Sequence, residues 1–129
     1  MADHSKLYAT AAKLMTSGKG ILAADQSTGS MNKILVGLGV PPEAEMRRQY
    51  RQLLITTEGL EKYVSGIILY DSTIRNTTDD GVGFVDVLLG KGITPIIKVD
   101  KGTVPHTGFS DEVVTQGLDD LSERLEEYY

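Results

Sequence analysis

Four charged residues stand where chemistry could be done: Asp25, Asp71, Lys98 and Asp100. Each ends or interrupts a short apolar run. Ile21 to Ala24 closes on Asp25, Gly66-Ile-Ile-Leu-Tyr70 closes on Asp71, and Ile93 to Asp100 contains Lys98. A short apolar run bounded by glycines reads as a buried strand, so each run delivers its charged residue to the rim of a sheet. Aspartate at such a place is either chemically active or a cap for the turn that follows. Lys98 sits between Ile97 and Val99, where an ammonium needs a carboxylate or a ligand. It is therefore half of an internal ion pair or a contact to an anionic substrate, and burial could also make it a nucleophilic amine.

The turn after Asp25, Gln26-Ser-Thr-Gly-Ser30, offers hydroxyls and backbone N–H groups that suit a phosphate. It matches neither G-x-x-x-x-G-K-[ST] nor G-x-G-x-x-G, so no nucleotide-binding signature is present. Ser30 also reads as the cap of a following helix. Lys19, Lys33, Lys98 and Lys101 could serve a small anion if the fold gathers them.

The elements that position these residues follow from periodicity. An amphipathic helix is expected over 3–16, with Leu7, Ala11, Leu14 and Met15 on one side and Asp3 or Ser5 as cap. A strand over 20–25 places Ile21, Ala23 and Asp25 on one face and Leu22 and Ala24 on the other. A short helix after Ser30 turns Met31, Ile34, Leu35 and Leu38 inward. A longer one runs from Pro42 to about Thr56, with Met46, Tyr50, Leu53 and Leu54 apolar and Arg47, Arg48 and Arg51 read as a solvated face. A strand over 66–70, a loop over 72–83, a helix over 84–90 and a strand over 93–100 follow. In that last strand Ile96, Lys98 and Asp100 share a face. The loop 101–117 is long enough to suggest function. A final helix from near Asp119 carries Leu118, Leu121, Leu125 and Tyr128, and the Tyr128-Tyr129 pair could also belong to a core. Strand, charged residue, loop and helix occur three times in succession. That rhythm means parallel βα units, whose function collects at the carboxyl ends of the strands.

The 129 residues suit one ordinary domain, with 40% hydrophobic and 24% charged residues. Without cysteine there is neither a disulfide nor a thiolate metal site, and His4 and His106 lack ligand spacing, so neither metal nor cofactor is expected. The net charge of −5 argues against nonspecific nucleic-acid binding. No signal-peptide pattern opens the chain, and no apolar stretch approaches the ~20 residues that span a bilayer. A cytoplasmic protein without membrane contact is expected.

Three segments resemble class I fructose-bisphosphate aldolase: Gly18-Lys-Gly-Ile-Leu-Ala-Ala-Asp-Gln-Ser-Thr-Gly-Ser30, Ile96-Ile-Lys-Val-Asp-Lys-Gly102 and Thr115-Gln-Gly-Leu-Asp-Asp-Leu-Ser-Glu-Arg124. Arg48-Gln-Tyr-Arg-Gln-Leu-Leu and Gly66-Ile-Ile-Leu-Tyr70 resemble it too, in order and at matching separations. The resemblance covers nearly everything from Leu7 onward. It implies a TIM (β/α)8 barrel, an α/β fold, that cleaves fructose 1,6-bisphosphate to dihydroxyacetone phosphate and glyceraldehyde 3-phosphate through a lysine Schiff base, without metal or cofactor. It further implies that Asp25 assists proton transfer around the imine and that Lys98 lines the site. Ser27 and Ser30 would hold the substrate phosphate. Three departures stand out: Gln26 where the family has glutamate, Ile34 where it has a phosphate-binding arginine, and Asp120 where it has glycine. Lys33 beside Ile34 could supply a point charge but not a planar fork.

A complete barrel takes about 250 residues. Residues 1–129 are accordingly expected to form the first three βα units of one barrel, with no second domain. The family's Schiff-base lysine, its neighbouring lysine and its catalytic glutamate would lie beyond Tyr129. The alternative is a truncated, non-catalytic module for phosphate binding or assembly. For the full-length parent the resemblance implies a phosphorylated sugar as substrate and a homo-oligomer as assembly.

Overall fold

A computed structural model describes residues 4–129; Asp3, one candidate cap of the first helix, lies outside them. Three parallel strands, β1 (Gly20–Ala24), β2 (Val64–Leu69) and β3 (Thr94–Ile97), form one sheet in that order. The sheet is the start of a βα arrangement and does not close into a barrel. Between its strands lie α2 (Thr28–Gly37), α3 (Ala44–Thr56) and α4 (Phe84–Gly90); α1 (Ser5–Leu14) precedes the sheet and α5 (Leu121–Tyr128) follows it. No helix among the described residues is long and apolar enough to cross a membrane.

Strand alternation divides the sheet into two unlike faces. Leu22 and Ala24 of β1 stand beside Ile67 and Leu69 of β2, and this side packs against Ile55 of α3 and Phe84 and Leu88 of α4. Ala24, Ile55, Ile67, Leu69, Phe84, Leu88 and Ile93 are fully buried there. Each large member contributes about 1.5–3 kcal/mol on leaving water, so this one face holds the helices to the sheet. The other face carries Ile21 and Ala23, both exposed, with Gly66 and Ile68 beside them in register. Gly66 is crowded even so: a Cβ there would come within 2.6 Å of Leu14 Cδ2 and 2.9 Å of Ile96 Cδ1. The Ser65 hydroxyl donates to the Leu14 carbonyl at 2.7 Å and lies 3.2 Å from that of Gly20, tying the end of α1 to the start of β1.

Several expectations are corrected. The first helix is shorter than 3–16, and its apolar stripe is not buried: Leu7, Ala11 and Met15 are exposed, and Leu14, which lies against Gly66, is only partly covered. Ser27, not Ser30, caps α2, its hydroxyl accepting from the Ser30 N–H at 3.3 Å. Met31 and Leu35 face inward as expected, whereas Ile34 and Leu38 do not. In α3 the buried stripe is rotated to Arg51 and Ile55, and Leu53 is exposed. The strand over 66–70 starts two residues earlier and ends at Leu69, and Asp71 opens a 3-10 turn (Asp71–Arg75). The third strand stops at Ile97, because β2 has no further strand residue to pair with. α4 occupies 84–90 as expected.

The segment 101–117 contains an antiparallel hairpin, β4 (Thr103–Pro105) and β5 (Val113–Thr115). Its strands are three residues each and wholly exposed, so they carry no buried alternation that sequence could reveal. In α5 the half-buried side is Leu121, Arg124 and Tyr128, while Leu118 and Leu125 are exposed. The Tyr128 hydroxyl donates to Asp71 Oδ1 at 2.7 Å, and Arg75 bridges Asp71 and Glu127. Partial burial pushes the Asp71 carboxyl up, but the Tyr128 and Arg75 hydrogen bonds outweigh it and hold it below its usual value.

Asp120 caps α5 at φ 54°, the one described residue other than glycine in the left-handed region. A Cβ there costs energy that glycine avoids, partly offset by the greater unfolded-state freedom of glycine. Its pair with Lys101, 3.8 Å apart and exposed, adds little. Asp120→Gly should therefore stabilise the chain by about 0.5–1 kcal/mol. Urea unfolding of the two chains measures this; a loss of stability would show that the side chain holds the cap.

Candidate active site

The strands run in one direction, so their carboxyl ends meet along one rim. Register pairs Ala24 with Leu69 and Leu69 with Ile97. The next residues, Asp25, Tyr70 and Lys98, thus follow the three strands side by side, and the Lys98 N–H still donates to the Leu69 carbonyl at 3.0 Å. An open cleft of about 410 Å³ lies here, lined by Asp25, Gln26, Ser27, Ser30, Tyr70, Lys98, Asp100, Lys101 and Gly102.

Sequence reasoning named Asp25, Ser27, Ser30 and Lys98, and the fold brings these four to the same cleft. Lys33 is exposed and outside the lining, as is Ile34, which is 39% exposed. Lys19 precedes β1, at the opposite end of the strand. Asp71 lines an adjoining cleft together with Tyr70, Lys98, Asp100, Lys101 and Arg124.

Lys98 is half-buried and forms an ion pair with Asp100. The Asp100 carboxylate also accepts the Gly102 N–H at 3.0 Å. Lys98 first, and that N–H second, hold the Asp100 carboxyl below its ordinary value. Of the roles left open for Lys98, the ion pair is the one formed here, at the edge of a cleft where an anionic ligand can compete with Asp100 for the ammonium. Ser27 and Ser30 stand at the amino end of α2, their hydroxyls 3.2 Å apart, so hydroxyls and the positive end of the helix dipole occupy the same place. Together the lining offers two carboxylates, one of them paired with Lys98, two ammonium groups and several hydroxyls, a set that can meet an oxygen-rich ligand with both donors and charge.

Arg51 is the residue that sequence reasoning missed. It was read as solvated, yet it is 4% exposed and holds the cleft from behind. Its guanidinium donates to Gln26 Oε1 at 2.8 Å, to the Gln26 carbonyl at 2.9 Å and to Met31 Sδ at 3.6 Å. Burial pushes the Arg51 pKa down, while Tyr50 and Asp25 oppose that. The signal available was Ile55 four residues on, which shares its helical face. Arg48, also read as solvated, is largely covered: it bonds Glu45 at 2.6 Å, Asp79 at 2.5 Å and the Thr77 carbonyl at 2.9 Å. Arg47 donates to Asn32 Oδ1 and the Pro42 carbonyl.

Comparison with known proteins places this geometry in context. The family described as Fructose-bisphosphate aldolase class-I matches residues 6–129. A probable fructose-bisphosphate aldolase class 1 of Xanthomonas campestris is 50% identical over 96% of this chain and 37% of its own length. Fructose-bisphosphate aldolase 1 of Caenorhabditis elegans is 50% identical over 98% of the chain and 35% of its own. A cytosolic fructose-bisphosphate aldolase of Arabidopsis thaliana is 48% identical over 96% and 35%. Among solved structures, fructose-bisphosphate aldolase from Plasmodium falciparum superposes with a TM-score of 0.93 at 45% identity, over 97% of this chain and 36% of that one. The chain thus spans about a third of the length of the curated relatives it matches.

Proposed function

This chain belongs to the class-I fructose-bisphosphate aldolase family, and from that premise we propose that it supplies the first three βα units of an aldolase barrel. The reaction is aldol cleavage of fructose 1,6-bisphosphate to dihydroxyacetone phosphate and glyceraldehyde 3-phosphate through a lysine imine, with no metal or cofactor. The observation that carries this reading is the convergence of Asp25, Ser27, Ser30 and Lys98 on one cleft at the carboxyl ends of the strands. Asp25 assists proton transfer next to the imine. Lys98 exchanges its pairing with Asp100 for the substrate's charge. Ser27 and Ser30, at the amino end of α2, hold a phosphate. Lys33, outside the lining, contributes to the field around that phosphate without touching it.

The imine-forming lysine is not among these 129 residues in this reading, so the isolated chain binds phosphate without turning over sugar. In this reading the complete enzyme is a homo-oligomer and cytoplasmic, the compartment being supported by the cytosolic Arabidopsis relative.

Incubating the 129-residue chain with dihydroxyacetone phosphate and borohydride, then weighing it, tests the assignment. No specific covalent adduct is expected. A stoichiometric adduct at Lys98 would make Lys98 the nucleophile and overturn the role given to it here.

A further inference from the structure

Behind the cleft, between α2, α3 and the turn that follows β2, lies a second cavity of about 180 Å³. Arg47, Arg51, Thr28, Ser72, Thr73 and Asn76 line it, and no carboxylate does. We propose that this cavity binds a small tetrahedral oxyanion, free inorganic phosphate or sulfate, at a site separate from the cleft.

The argument rests on charge. Arg51 is almost wholly buried, yet its hydrogen-bond partners (a carboxamide oxygen, a backbone carbonyl and a thioether) are all neutral. The partners of Arg47 are also an amide oxygen and a carbonyl. Among the described residues neither guanidinium takes part in an ion pair, and the one carboxylate that acts on Arg51 is Asp25, which lines the other cleft. A buried cation with neutral partners is costly unless a counter-ion is near. Two guanidinium forks and several hydroxyl and amide donors around a space of this size match the geometry of an oxyanion. Thr28 opens the ten-residue helix α2, whose amide end adds to the same field.

Gln26 lines both cavity and cleft. A glutamate there would put a carboxylate against Arg51 and supply the missing charge from within the chain. The site therefore depends on Gln26 being neutral, and that makes it testable without damaging the fold. Inorganic phosphate is titrated into the isotopically labelled chain, with chloride holding ionic strength constant, and amide resonances are followed by NMR. Saturable shifts are expected at Ser72, Thr73 and Asn76. They should persist in Ser30→Ala and weaken about tenfold or more in Gln26→Glu. Shifts confined to Ser27 and Ser30 would mean that the cleft alone binds phosphate, leaving the functional reading intact and overturning this one. No shift at Ser72, Thr73 and Asn76, or equal affinity in Gln26→Glu, would overturn it as well.

Discussion

The Arg51→Ala chain is expected to be about 3 kcal/mol less stable than the parent, a large share of the stability of an ordinary domain. The substitution removes a buried side chain that spans α3 and the turn after β1. It also strips the Gln26 carbonyl and carboxamide of their donors, and an unpaired buried acceptor costs about 1–3 kcal/mol. Arg51→Met separates the two effects. Methionine restores most of the packing without the charge, and such a swap often costs little. Its loss should be about 1 kcal/mol if packing dominates. Urea unfolding followed by circular dichroism distinguishes the outcomes. If alanine and methionine cost the same, the hydrogen bonds to Gln26 outweigh packing; if alanine costs nothing, Arg51 is not the support that its contacts indicate.

Gly117→Ala is expected to cost about 2–4 kcal/mol and to disturb the cleft directly. Gly117 is buried at φ 127°, where a residue with a Cβ is strained. A Cβ would meet Asp100 Cα and Lys101 N at 2.9 Å and the Val99 carbonyl at 3.0 Å. All three are backbone atoms, so no side chain can rotate aside, and the strand end must move. Arg124 fixes that contact by donating to the Gly117 carbonyl at 2.6 Å and to the Val99 carbonyl at 2.9 Å. Displacing Val99 and Asp100 therefore displaces the partner of Lys98. Amide spectra should show the largest changes at Lys98 to Gly102. A loss below about 1 kcal/mol, with those resonances unmoved, would mean that the approach relaxes at little expense.

What sequence could reveal tracks how regularly each element is buried. β1, β2 and α4 were legible because each is an apolar run with inward residues against one core, and β3 because its apolar run follows the buried Ile93. That Asp25, Ser27, Ser30 and Lys98 line one cleft was legible because parallel strands gather their carboxyl ends, whatever the helices do. The helices were harder. A long arginine stem buries as much as an aliphatic chain once its head finds partners, and periodicity counts it as polar; α3 was therefore placed in the wrong rotation. Gln26, the partner of Arg51, lies 25 residues away and has no local signature. The hairpin β4–β5 escaped because exposed strands this short have no inward face to betray them. Asp120 shows the reverse: its departure from the family's glycine was visible, but its left-handed backbone was not.

The link from Ser65 to Gly20 joins residues 45 apart, and the pairing of β1 with β2 closes a span of similar length, whereas β4 and β5 are separated only by residues 106–112. Closing a long span costs chain entropy before any contact rewards it. The hairpin pairing can therefore be sampled early, within about 1–10 μs, although strands this short and exposed hold only once the rest of the fold is in place. The parallel sheet must wait for α2 and α3 to shorten the distance between its strands. The pairings that set Asp25 and Lys98 on one rim are thus the ones with the larger loop-closure cost, and those around Lys101 and Gly102 the smaller.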